Sequence, residues 1–144
     1  MLTVDESVVI DRPRAKVFEF FADPENVVVY NSNVVEYAVT SGGPQEVGRK
    51  ARVVVRVIGV QLEGTDELTE FVDGERFRTV SEKSRIPYSV ETSFADEGAG
   101  TKVTWHQEVE SLKGVFKFAD ALVLKMYSRD VRSNLEKAKA LLEA

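Results

Sequence analysis

The chain has 144 residues, 43% hydrophobic and 30% charged, with a formal net charge of -5 and a pI near 5.0. Such a length is one ordinary domain, able to remove roughly 70% of its unfolded surface from water. The acidic balance argues against a nucleic-acid binder that lives on phosphate neutralisation, and the absence of cysteine excludes disulfides, thiolate metal sites and thiol nucleophiles.

The first residues, Met1 to Glu6, lack the basic and apolar regions of a secretion signal, and no apolar run approaches the ~20 residues that span a bilayer. The expectation is a soluble cytoplasmic protein. Residues 3–11 alternate, with Val4, Val8 and Ile10 on one face, the period-2 pattern of a half-buried strand. Glu6 shares that face. Pro13 fits the first turn of a helix in which Val17, Phe18 and Phe21 recur at helical spacing up to Ala22. Asp23 and Pro24 then serve as N-cap and first residue of a second short helix through Tyr30.

From Val34 to Ser111 the pattern is strands and turns, predicted at 34–40, 47–57, 60–72, 75–84, 88–95 and 101–111, seven strands with the first. Asp73-Gly74, between Phe71 and Phe77, is the strongest hairpin signal, because both residues tolerate positive φ. No linker, repeat or low-complexity tract marks a second unit, so residues 1–144 read as one domain. After Gly114 the period changes to 3.6 and runs to the end, predicting about 28 residues and ~40 Å of helix. Phe116, Val123, Val131, Ala138 and Leu141 share one face of it, and Lys117, Lys125, Arg132 and Lys139 the other.

This order of strand, two short helices, six strands and long helix resembles the helix-grip fold of the START-like, or SRPBCC, superfamily over residues 3–142. Ile10-Asp11-Arg12-Pro13, Ala22-Asp23-Pro24-Glu25-Asn26, Val47-Gly48 and Gly100-Thr101-Lys102-Val103-Thr104-Trp105 are similar to its polyketide cyclase/dehydrase branch. The resemblance implies an α+β fold: a curved seven-stranded antiparallel sheet, two short helices after the first strand, and a long C-terminal helix packed across the sheet over a cavity. It also implies a ligand of lipid or polyketide type. Fold alone does not settle function.

Candidate site residues follow from parity and helical phase. On the inner face of the long helix Asp120, Tyr127 and Asn134 recur every seven residues beside Val123. Buried polar groups need partners, which each other, the sheet, water or a ligand would supply. Across from them Tyr88, Val90, Thr92 and Phe94 share one face of their strand, as do Val103, Trp105, Gln107 and Val109 of the last. Val60, Leu62, Asp66, Leu68 and Glu70 also share parity, placing Asp66 inside unless a bulge at Gly64 shifts the register. Plain core packing is the competing reading for each aromatic. A carboxylate held in an apolar cavity has a raised pKa and would serve as acid or base, which makes Glu6, Asp66 and Asp120, with Tyr127, the candidates for chemistry.

His106 has the opposite parity from Trp105 and reads as a surface residue with an ordinary aqueous titration, without companions for a metal site or a nucleophile elbow for a triad. Neither metal nor cofactor is expected. The basic stripe formed by Lys117, Lys125, Arg129, Arg132 and Lys139 reads as a solvated face; contact with an anionic membrane or protein partner is the weaker alternative, since Glu136 and Glu143 interrupt the stripe. Three functions stay open: a carrier or sensor of a small apolar molecule, a cyclase-like enzyme using a cavity carboxylate or Tyr127, and a homodimeric interaction module with a filled core.

Overall fold

The computed structural model describes residues 2–110 and 119–144. Strand β1 (Leu2–Ile10) leads into helix α1 (Arg14–Ala22); a 3-10 turn (Pro24–Asn26) and helix α2 (Val27–Tyr30) follow. The chain then runs through β2 (Val34–Ser41), β3 (Lys50–Val57), β4 (Val60–Val72), β5 (Arg76–Ser81), β6 (Tyr88–Glu97) and β7 (Gly100–Val109), and ends in helix α3 (Asp120–Glu143). All neighbouring strands are antiparallel, in the order β1-β7-β6-β5-β4-β3-β2. β1 and β2 are thus opposite edges, and α1 and α2 carry the chain between them.

Local chemistry explains the joints. Asp23 accepts a hydrogen bond from the Glu25 N–H at 2.9 Å while Pro24 opens the 3-10 turn, so one acid ends α1 and starts the next segment. Gly74 adopts φ +76° in the β4–β5 turn, a region closed to most side chains. β3 begins at Lys50, later than expected, because Gly48 at φ +97° still belongs to the turn.

The register of β4 departs from strict alternation at one place. β3 and β4 pair without interruption through Gly64, so no bulge forms there and Asp66 does face inward. The irregularity lies between Leu68 and Glu70 instead. It turns Phe71 inward, against Phe18 at 5.4 Å, and leaves Glu70 outside, paired with Arg76.

α3 begins at Asp120, after an extended Ala119. The expected helical residues 115–118, including Phe116 and Lys117, lie outside the described residues, as does Gly114. Val123, Val131 and Ala138 are buried as their phase predicts. Leu141 is not: it is 45% exposed, and Leu142 packs on the core in its place, a phase error of one residue in the final turn. The C-terminal half of α3 is tied to the β1 edge. Lys139 Nζ donates to the Val9 carbonyl at 2.6 Å, Arg132 Nε to Glu6 Oε1 at 2.7 Å, and the Asp11 N–H to Glu143 Oε2 at 2.8 Å.

The core divides in two. A larger cluster joins β1, α1, β6 and β7 to Val131, Leu135 and Ala138 of α3; a smaller one joins Leu62, Ile86 and Val109 to Val123. Tyr88 and Leu124 touch both.

Candidate functional site

A cavity of about 160 Å³ opens where the two clusters meet. Its floor is the inner face of strands β2 to β7, its roof is Val123, Leu124 and Tyr127 of α3, and Phe21 and Tyr30 close the side toward α1 and α2. The hollow exists because the helix is held along β1, at one side of a sheet that extends six strands further. Aliphatic and aromatic side chains form most of the wall.

Two polar groupings interrupt it. In the first, Gln107 Oε1 accepts from Trp105 Nε1 at 3.0 Å and from the Tyr127 hydroxyl at 2.9 Å. Burial pushes the Tyr127 phenol up to about 12, with the hydrogen bond to Gln107 pulling the other way, so it is a neutral donor at physiological pH. In the second, Arg49 Nη2 donates to the Tyr37 hydroxyl at 2.6 Å, and that hydroxyl donates to Asp66 Oδ1 at 3.1 Å. Arg49 Nη1 donates to the Pro44 carbonyl at 2.6 Å. Its Nε is buried without a partner among the described residues. Burial raises Asp66 from 3.8 to about 6, against the opposing pull of the Tyr37 hydrogen bond and the Arg49 charge. Tyr88 feels Asp66, Tyr127 and Tyr37, and burial pushes its phenol far above the ordinary value.

Of the residues singled out from sequence, Asp66, Tyr88, Val90, Thr92, Trp105, Gln107, Val123 and Tyr127 line this cavity. Four do not. Phe94 is buried against Phe18 and Phe21 of α1, with ring centroids 5.0 and 5.7 Å away. Asn134 is consumed by the turn after α2: its Oδ1 accepts from Ser32 N at 3.0 Å and Ser32 Oγ at 2.8 Å, and its Nδ2 donates to Asn31 and Asn33. Asp120 stands in the first turn of α3, where a negative charge suits the helix dipole. Glu6 does share the Val4 face but meets Arg132 at the edge of the helix, outside the cavity.

Tyr37 and Arg49 were not legible as site residues. A register shift between Val34 and Glu36 puts Tyr37 on the same wall as Val34, contrary to alternation with the exposed Val35. Arg49 does carry a signal, its parity with the buried Ala51 and Val53. His106 faces outward as expected, yet its titration is not ordinary: hydrogen bonding to Asp5, with Glu108 nearby, holds its pKa above the usual value.

A family model described as polyketide cyclase / dehydrase and lipid transport matches residues 1–143. Among solved structures, a Thermus thermophilus protein is similar at 23% identity and TM-score 0.83, covering 96% of this chain and 95% of that one. A START superfamily protein from Mycobacterium smegmatis is similar at 12% identity and TM-score 0.81, covering 98% and 97%. The major latex-like protein 151 of Panax ginseng is similar at 14% identity and TM-score 0.76, covering 96% and 95%. At these identities the likeness is one of fold. No curated protein sequence matches the chain.

Proposed function

The chain belongs to the polyketide cyclase / dehydrase and lipid transport family, and from that premise we propose that residues 1–144 form one domain that binds a small, largely apolar ligand between sheet and α3. The observation that carries this reading is the cavity itself. Its volume of about 160 Å³ is close to the roughly 150 Å³ of an apolar protein cavity known to hold benzene, so the unexpanded site suits a single ring. A carrier or sensor needs neither metal nor cofactor for this. Among the described residues no helix is long and apolar enough to cross a membrane.

The direct test is titration with para-xylene, followed by the melting temperature and by NMR shifts of the Val123 and Val90 methyl groups. Binding at 100 times the Kd stabilises the native state by about 2.7 kcal/mol, a readily measured rise in Tm. Unchanged melting and unmoved methyl signals across a panel of single-ring hydrocarbons would reject the reading.

A second reading, proton transfer to or from the bound molecule, is favoured by one observation, the Asp66 carboxyl raised to about 6 inside the cavity. Its test is deuterium exchange at the acidic carbon of acetophenone in heavy water, monitored by NMR. Acceleration lost in Asp66→Asn supports acid–base chemistry; equal exchange rates in both proteins reject it. A homodimeric interaction module would want a filled interior, and the cavity gives that alternative no support.

A further inference from the structure

Building on the ligand-binding reading, we propose that the natural ligand is a single-ring compound bearing a neutral hydroxyl, a phenol or stable enol, which donates its hydrogen bond to the unoccupied oxygen of Asp66. The polarity of the second grouping leads there. Arg49 donates to Tyr37 and Tyr37 donates to Asp66 Oδ1, so the relay runs one way and ends on an acceptor. Asp66 is 4% exposed, lies on the cavity wall, and its Oδ2 accepts no hydrogen bond among the described residues. A purely apolar occupant would strip water from that oxygen and return nothing, a cost that buried polar groups rarely carry. An occupant with a hydroxyl supplies the missing donor.

The charges narrow the class further. Titratable or charged groups facing Asp66 are Tyr37 from β2, Arg49 just before β3, Glu82 just beyond β5 and Tyr88 from β6. A carboxylate ligand would be repelled by Asp66 itself. A cationic amine would meet the buried Arg49 guanidinium, which already offsets the Asp66 charge. A neutral donor avoids both penalties. Aromatic and aliphatic walls around Asp66, among them Leu68, Phe71 and Tyr88, then receive the ring.

Para-cresol and para-xylene share one shape and differ in a hydroxyl for a methyl. Their dissociation constants on the full chain, measured by NMR titration at pH 5 and pH 7.5, separate the inference from its premise. At pH 7.5, with Asp66 ionised, para-cresol is expected to bind roughly tenfold more tightly, as a hydrogen bond to a charged acceptor allows. At pH 5 the preference should shrink, because the carboxyl then holds its own proton. Asp66→Asn should show a smaller preference that no longer changes with pH. Equal affinities for the two probes at pH 7.5, or a pH-dependent preference that survives in Asp66→Asn, would overturn the inference while leaving apolar binding intact. Binding of neither probe would overturn both.

Discussion

Asp66 is the residue whose protonation most directly couples the cavity to stability. Its folded-state pKa of about 6 lies above the ordinary 3.8, so the folded chain holds this proton more tightly than the unfolded chain does. The associated stabilisation is fully present below pH 3.8 and is lost as pH rises through about 6. A rise from 3.8 to about 6 corresponds to about 3 kcal/mol, the cost of keeping the ionised carboxylate buried at neutral pH. Asp66→Asn removes the ionisation but keeps an acceptor for Tyr37. Urea unfolding of both proteins should therefore show the variant gaining on the wild type between pH 4 and pH 7.5. Parallel pH profiles would mean that Asp66 is hydrated, or fully compensated by Arg49. That Asp66 faces inward was legible, because its parity with Leu62 and Leu68 is unbroken by Gly64. Its partners were less so: Tyr37 lies beyond a bulge that alternation alone does not announce.

α3 has two halves with different tasks, and the sequence shows the difference only partly. Toward its C-terminus, Asn134 binds the backbone and side chain of Ser32 and the side chains of Asn31 and Asn33, while Asn33 also reaches Asp130 at 3.0 Å. Helical phase places Asn134 inward correctly but does not distinguish a ligand from a turn as its partner, because the turn at 31–33 arrives from a hundred residues away. Replacing it with leucine of similar bulk leaves several buried donors and acceptors unpaired, at about 1–3 kcal/mol for each group that water does not reach. Asn134→Leu is expected to lower the urea midpoint and to speed amide exchange at residues 31–33. Normal stability with unchanged exchange would show that the turn holds itself. Toward the N-terminus, Val123 is 2% exposed and roofs the cavity. Val123→Phe should cost about 1–3 kcal/mol through overpacking and weaken para-xylene binding by filling the volume a ring would occupy. Undiminished affinity in the folded variant would move the ligand elsewhere.

At the scale of the whole molecule, order and periodicity carry the architecture, because alternation needs only one buried face and a helix needs only a surface to lie on. The size of the hollow is not carried that way; it depends on sheet curvature and on where α3 is pinned, through contacts such as Lys139 to the Val9 carbonyl. Trp105 reads out the result. It lies on β7, between β1 and β6, and pairs with Glu6 on one side and Thr92 on the other. The residue is 8% exposed and lines the cavity, and its Nε1 is held by the same Gln107 oxygen that Tyr127 reaches from α3. As the only tryptophan, it gives an emission with a single origin. Iodide should therefore quench the ligand-free protein weakly. Para-xylene, by replacing water around the indole and pressing on the Gln107 grouping, should shift the emission to shorter wavelength or change its intensity, saturating with the same Kd as the methyl shifts. His106, one residue along and facing outward against Asp5, should keep its raised pKa unchanged throughout, as an internal control on the strand. If emission stays constant while the methyl signals of Val123 saturate, the ligand occupies the roof without reaching β7. If His106 moves together with Trp105, the ligand acts by shifting the strand, and the cavity between α3 and β7 is not its seat.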